Sequence, residues 1–157
     1  MIKKIIPWTV FAALFLFIIF GFAFKGKMNS YLSGQMKNNI TPELNMLGNA
    51  YIDSAFNYTK SGLAYKITFL EIGAKGCSAC KRMEAVMDDI SNKFPDKVNV
   101  VFFNILKPES QNLMKYFGVT AIPTQIFLNN EGKEIFRHTG FFSTNEVTKN
   151  LIIYGVK

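Results

Sequence analysis

The stretch from Lys66 to Met83, KITFLEIGAKGCSACKRM, decides how the rest of this 157-residue chain is read. Its first part, KITFLEIGA, is a short β-branched and aromatic run bounded by glycine, which predicts a buried strand from about Lys66 to Ile72. Its last part opens the segment CKRMEAVMDDISNKF, where Met83, Val86, Met87 and Ile90 recur at helical spacing and Phe94-Pro95-Asp96 ends the helix. Between the two lie Cys77 and Cys80, the two cysteines of the chain. They therefore sit at a strand-to-helix turn.

A redox pair, half of a metal site, a haem attachment point and two ordinary buried thiols, free or joined in one structural disulfide, compete here. A haem attachment sequence needs histidine directly after the second cysteine, and Lys81 stands there. A closed zinc site needs four ligands, whereas the chain offers one cysteine pair and His138. Copper held by two thiolates stays open. A structural disulfide is compatible with an exported protein, but a two-residue spacing closes so small a loop that it restrains the unfolded chain little. At a helix start, by contrast, backbone N–H groups and the positive end of the dipole stabilise a thiolate at Cys77, as a nucleophile in thiol–disulfide exchange requires.

Working outward, VNVVFFNI (Val98 to Ile105) reads as a second buried strand and PESQNLMKYFGV as a helix ending near Gly118. TQIFLNNEGKEIFRHTG offers two strands joined across Asn130-Glu131-Gly132, and STNEVTKNLIIYG begins at a Ser143 or Thr144 cap and forms a closing helix. A parallel βαβ unit, an antiparallel hairpin and a last helix imply an α/β fold: a mixed sheet covered by helices on both faces. Upstream, Thr41, Pro42 and Glu43 mark another helix start, whose end is obscured by the mixed segment Asn49 to Tyr65.

Glu71 shares a strand face with Ile67 and Phe69, close to the entry of the cysteine turn. An acid within so apolar a strand is costly unless it is used or paired, or unless it reaches solvent from the strand end. His138, beside Arg137, reads as a solvated histidine and the helical methionines as core. Lys75, Lys81 and Arg82 either add positive potential near a thiolate or simply solvate the surface.

The N-terminus is of another kind. IIPWTVFAALFLFIIFGFAF, Ile5 to Phe24, carries no charge and matches the ~20 apolar residues of a membrane-crossing helix. Lys3 and Lys4 precede it, an arrangement that keeps the N-terminus in the cytoplasm and exports the residues beyond the apolar run. Residues 1–25 are thus expected as a membrane anchor, with a cleaved signal sequence as the alternative, since Gly21 and Ala23 provide small residues for a peptidase. Residues 26–40 read as a polar tether and 41–157 as the exported domain, single-pass on the extracytoplasmic (periplasmic) side, or soluble there after cleavage. The net charge of +7 points to no nucleic acid: Lys3, Lys4, Lys25 and Lys27 flank the apolar run, and setting them aside leaves +3 spread over the body.

From about Ile67 to the C-terminus the chain resembles thioredoxin-like proteins. The resemblance is carried by ITFLEIGA, CSACK, VNVVFFNI, YFGVTAIPT, the hairpin and the last helix. It implies a redox-active Cys77–Cys80 disulfide, a cis Ile122–Pro123 bond beside the cysteines, and a substrate site at Ile122, Pro123 and Thr124 that pairs with an extended client segment. It further implies that Glu71 is a buried acid whose pKa burial raises and which accepts the proton of Cys80. Gly76 stands where many thioredoxins have tryptophan, Ser78-Ala79 where they have Gly-Pro, and Phe102 where a lysine often accompanies the acid, so Glu71 lacks a cation. CSACK is similar to the motif in the C-terminal domain of DsbD-type transmembrane reductases, and the anchor resembles the tethered thioredoxins of cytochrome c maturation. The expected function is reduction of disulfides in exported proteins by a monomer without cofactor or metal, recharged by a membrane electron donor of the DsbD/CcdA type. An oxidase or isomerase on the same fold, and a non-catalytic copper or client binding module, are the alternatives.

Overall fold

The computed structural model describes residues 2–157, with side-chain surroundings for residues 8, 10–21, 24 and 26–157. Helix α1, Ile2–Asn38, precedes α2, Pro42–Phe56, and a single turn α3, Tyr58–Ser61. The strands and their connecting helices come next: β1 Ile67–Gly73, α4 Ser78–Lys93, β2 Val98–Asn104, α5 Pro108–Tyr116, β3 Thr124–Asn129, β4 Glu134–Thr139 and α6 Thr144–Ile153.

These elements begin and end where their residues dictate. Thr41 caps α2, its hydroxyl accepting the Leu44 N–H at 3.2 Å, and Pro42 takes the first helical position. Ser143 caps α6 in a reciprocal box with Glu146. The mixed segment after Asn49 resolves as the rest of α2, then α3, closed at Gly62.

The four strands lie in the order β2-β1-β3-β4, with β1 parallel to β2 and antiparallel to β3, and β4 antiparallel to β3. β1 is central and buried along its whole length, as its unbroken apolar pattern predicts. Alternation along the strands divides the core. Ile67, Phe69 and Phe127 face Met83, Val86 and Ile90 of α4 and Val147 and Leu151 of α6. On the other side Leu70, Ile72, Ile126 and Leu128 meet Ile52 and Phe56 of α2 and Leu113 of α5. The mixed sheet with helices on both faces is as the sequence predicts.

The N-terminal region differs from its sequence reading. Residues 26–38, expected as a polar tether, continue the helix and lie against the domain. Arg137 donates to Ser33 Oγ at 2.9 Å, to the Phe117 carbonyl at 2.6 Å and to both carboxylate oxygens of Glu134, while Lys37 pairs with Glu134 at 2.9 Å. Polar residues without proline stay helical here because these long-range bonds hold them to the domain. Between Val10–Gly21 and Gly26–Asn38 the helix axis bends by 54°, so no single helix among the described residues is long and apolar enough to cross a membrane, whereas the bent pair together has the length and composition. Phe11, Leu14, Phe15, Phe17 and Phe20 are exposed along the first piece, and Trp8 just before it.

Phe127 ties the hairpin into the core, its ring centroid 5.5 Å from Phe69 and 4.8 Å from Phe136. Phe127→Ala should lower the unfolding free energy by about 3–5 kcal/mol, read as an earlier urea midpoint with the full chain in detergent. A loss below ~1 kcal/mol would show that this ring does not anchor the core.

Candidate active site

The cysteine turn is built by two glycines and a helix start. Gly73 ends β1 where a Cβ would lie 3.2 Å from Cys80 Sγ and 3.2 Å from the Phe102 ring, so the helix start packs directly on the strand end. Gly76, at φ +95°, turns the chain in a region that side-chain-bearing residues rarely adopt. Cys77 then occupies the N-cap of α4, and its sulfur accepts the Cys80 N–H at 3.2 Å. The two cysteines are joined in a disulfide with Cα atoms 5.2 Å apart. Cys80 is 3% exposed, whereas Cys77 is only half-buried, so Cys77 is the more accessible of the two.

The proline turn lies next to this one. Ile122–Pro123 is cis, and Thr124, the first residue of β3, pairs with Ile72 of β1, which places Pro123 across from the end of β1 where the chain leaves for the cysteines. Thr124 Oγ1 donates to the Ala121 carbonyl at 2.7 Å, and the Gly140 N–H donates to the Pro123 carbonyl at 2.8 Å, so the turn is held from both sides. Ile122 remains half-exposed.

Glu71 is 0% exposed, which rules out a strand-end glutamate reaching solvent. It stands on the α4 side of β1, two residues before Gly73 and hence on the same face as the contact with Cys80. Its parallel-strand neighbour is Phe102, as the missing cation implies, and its antiparallel neighbour is Gln125. Gln125 Nε2 donates to Glu71 Oε2 at 2.9 Å. Burial pushes the Glu71 pKa up to about 8, and the Gln125 hydrogen bond only partly opposes this.

Gln125 escaped the sequence reading. Its signal was a polar residue two before Phe127 in an otherwise apolar strand, and its meaning depended on the β1–β3 register. His138 also differs from expectation: it is half-buried, stacked on Phe142 at 4.3 Å with its Nε2 3.2 Å from the Phe141 carbonyl oxygen. Arg82 lies over the Phe141 ring at 4.4 Å, while Lys75 and Lys81 are exposed. A half-buried sulfur, a buried sulfur bonded to it and a buried acid of raised pKa on the same sheet face form the equipment for thiol–disulfide exchange.

Comparison with known proteins agrees with this chemistry. The family described as thioredoxin-like domain matches residues 53–152. The chloroplastic thioredoxin-like protein HCF164 of Arabidopsis thaliana is 32% identical over 81 residues, which cover 52% of this chain and 31% of that one. The thioredoxin of Rickettsia felis is 32% identical over 91 residues, covering 56% of this chain and 82% of its own. The match thus spans under a third of HCF164 and most of the shorter thioredoxin. Among solved structures, oxidised thioredoxin O2 of Arabidopsis thaliana aligns with a TM-score of 0.53 and 23% identity over 69% of this chain and 90% of that one, a likeness of fold.

The raised pKa of Glu71 makes stability depend on pH. The unfolded chain releases the Glu71 proton near 4.5, the folded chain only at about 8. Between these values the folded state binds more protons, so its stability falls as pH rises through the window and levels off above it. Glu71→Gln, neutral throughout, should gain on the wild type as pH rises from about 4.5 to about 8. Urea midpoints of both proteins across that range measure this; a difference that stays constant would contradict a buried, protonated Glu71.

Proposed function

The chain belongs to the thioredoxin-like family, and on that premise we propose that it is an extracytoplasmic thiol–disulfide oxidoreductase, anchored in the cytoplasmic membrane by its N-terminal segment, that reduces disulfides of exported proteins. The observation that carries this reading is the Cys77–Cys80 disulfide at the start of α4, with only Cys77 open to a partner and the cis Ile122–Pro123 turn across the neighbouring strand. The charge-free run Ile5 to Phe24 after Lys3 and Lys4 supports the anchor and its orientation.

In the reduced protein the Cys77 thiolate attacks one sulfur of a client disulfide, forming a mixed disulfide and releasing the other client sulfur as a thiolate, which takes a proton from water. An extended client segment lies along Ile122, Pro123 and Thr124, pairing with the turn by strand addition. Ionised Glu71 then takes the proton of Cys80, and the Cys80 thiolate attacks Cys77, closing the internal disulfide and releasing the second client sulfur as a thiolate, which takes a proton from water. The client gains two electrons and the protein loses two. A membrane protein of the DsbD/CcdA type that carries electrons from cytoplasmic thiols would reduce the pair again, and maturation of cytochrome c is one process that needs such a reductant.

Cys80→Ser should trap the mixed disulfide, because the attack that releases the client is gone. Expressed in the native host, this variant should yield covalent, dithiothreitol-sensitive adducts on non-reducing gels, absent from Cys77→Ser, and mass spectrometry names the trapped client. No adduct from Cys80→Ser would overturn the exchange mechanism. Equilibration of purified protein in glutathione buffers checks the direction: a potential of about −120 mV, as in strong oxidants of this chemistry, would overturn the reductase reading.

A further inference from the structure

Glu71 and Gln125 face each other directly across the β1–β3 ladder, both fully buried. Among the described residues three buried side-chain atoms have no hydrogen-bond partner, and two belong to this pair: Glu71 Oε1 and Gln125 Oε1. Buried polar atoms without partners are costly, and a proton on Glu71 shared with the Gln125 carbonyl oxygen would satisfy both at once. The state here is the oxidised one, in which Cys80 is bonded to Cys77 and carries no S–H.

We propose that Gln125 is the positioning residue for the proton transfer from Cys80 to Glu71: its amide N–H holds Glu71 Oε2, leaving Oε1 to take the proton, and its own carbonyl oxygen then receives the carboxyl O–H. This rests on the reading of Glu71 as the acceptor for Cys80. In the reduced protein the ionised Glu71 carboxylate has two acceptor oxygens, one held by the Gln125 N–H and the other left to take the proton of Cys80. Proton transfer breaks the S–H bond of Cys80 and forms the O–H bond of Glu71; the electron pair left on the Cys80 sulfur makes the new S–S bond with Cys77, and the pair of the broken mixed disulfide leaves with the client sulfur. Glu71 is then neutral, and its new donor meets the acceptor that Gln125 holds vacant. A neutral acid and an amide can thus share two hydrogen bonds where the carboxylate makes one with the amide.

Residues around the pair make the amide the local partner. On the β2 side Phe102 brings no charge. Cys80 faces this side from α4, whose buried Met83, Val86 and Ile90 are apolar, as are Val147 and Leu151 of α6. On β4 the residue opposite Gln125 is His138, whose Nε2 lies against the Phe141 carbonyl. Burial, which keeps the Glu71 proton up to about pH 8, agrees with a proton stored here in the oxidised protein.

The test uses the full chain in detergent with Cys77 joined to thionitrobenzoate, whose release by Cys80 is followed by absorbance. Glu71→Gln should slow release by about a hundredfold, the scale of general acid–base catalysis, and Gln125→Met, similar in shape but without the amide, by about tenfold. In the Glu71→Gln background Gln125→Met should add no further slowing, because the two act through one proton. In oxidised-minus-reduced infrared spectra the protonated-carboxyl band, identified by its loss in Glu71→Gln, should move to higher frequency in Gln125→Met as its acceptor disappears. Gln125→Leu repeats both measurements with a second side chain should the methionine variant fold poorly. An unmoved band, or slowing by Gln125→Met that multiplies with that of Glu71→Gln, would overturn the positioning role while leaving Glu71 as acceptor. Unchanged release in Glu71→Gln would overturn the role of Glu71 and this inference together.

Discussion

Everything at the site depends on β1 being paired on both sides and buried along its whole length. A strand in that position has no freedom to slip, because a shift by one residue would send Phe69 and Glu71 to the α2 side and Leu70 and Ile72 to the α4 side. Its C-terminal end therefore delivers Cys77 to one place only. The same ladder brings Thr124, and with it the cis turn at Pro123, alongside Ile72. The redox pair and the proline turn, more than 40 residues apart in the chain, are neighbours because of this one antiparallel register.

The register also creates the main electrostatic tension in the fold. Glu71 replaces what would otherwise be another apolar side chain between Phe69 and Gly73, in a row with Phe102 on one side and Gln125 on the other. With no cation beside it among the described residues, low polarity dominates and the acid's pKa rises to about 8. Such a group works against stability wherever it must ionise, which is the usual mark of a residue kept for chemistry rather than for packing. The neighbouring amide tempers that tension without removing it, since an amide is a weaker partner for a carboxylate than a lysine would be.

Near the cis turn, where α1 meets the domain, the interactions are polar and long-range. Arg137 bonds Ser33, the Phe117 carbonyl and Glu134 at once, and Lys37 adds to Glu134. Arg137 is only partly exposed, so its planar fork is better placed to hold a helix than a scattering of surface lysines. These bonds join the C-terminal part of α1 to the loop that precedes the cis turn, and so the segment leading from the apolar run reaches the domain beside that turn.

The elements and their order were legible in the residues alone. The apolar run of β1, the 3.6-residue spacing of Met83, Val86 and Ile90, the hairpin at Asn130 to Gly132 and the caps at Thr41 and Ser143 are local signals, readable because backbone preferences and side-chain periodicity act over a few residues. The cysteine spacing and the entry of α4 could be read for the same reason, and Glu71 announced itself as a charge in an apolar run. Which residues lie side by side was settled by the folded chain. Gln125 gains its meaning from the β1–β3 register, residues 26–38 are helical because Arg137 and Lys37 bind them to the domain, and His138 is half-buried because Phe142 covers its ring. Those outcomes rest on contacts between residues distant in the chain, and such contacts leave no periodic trace in the sequence on either side of them.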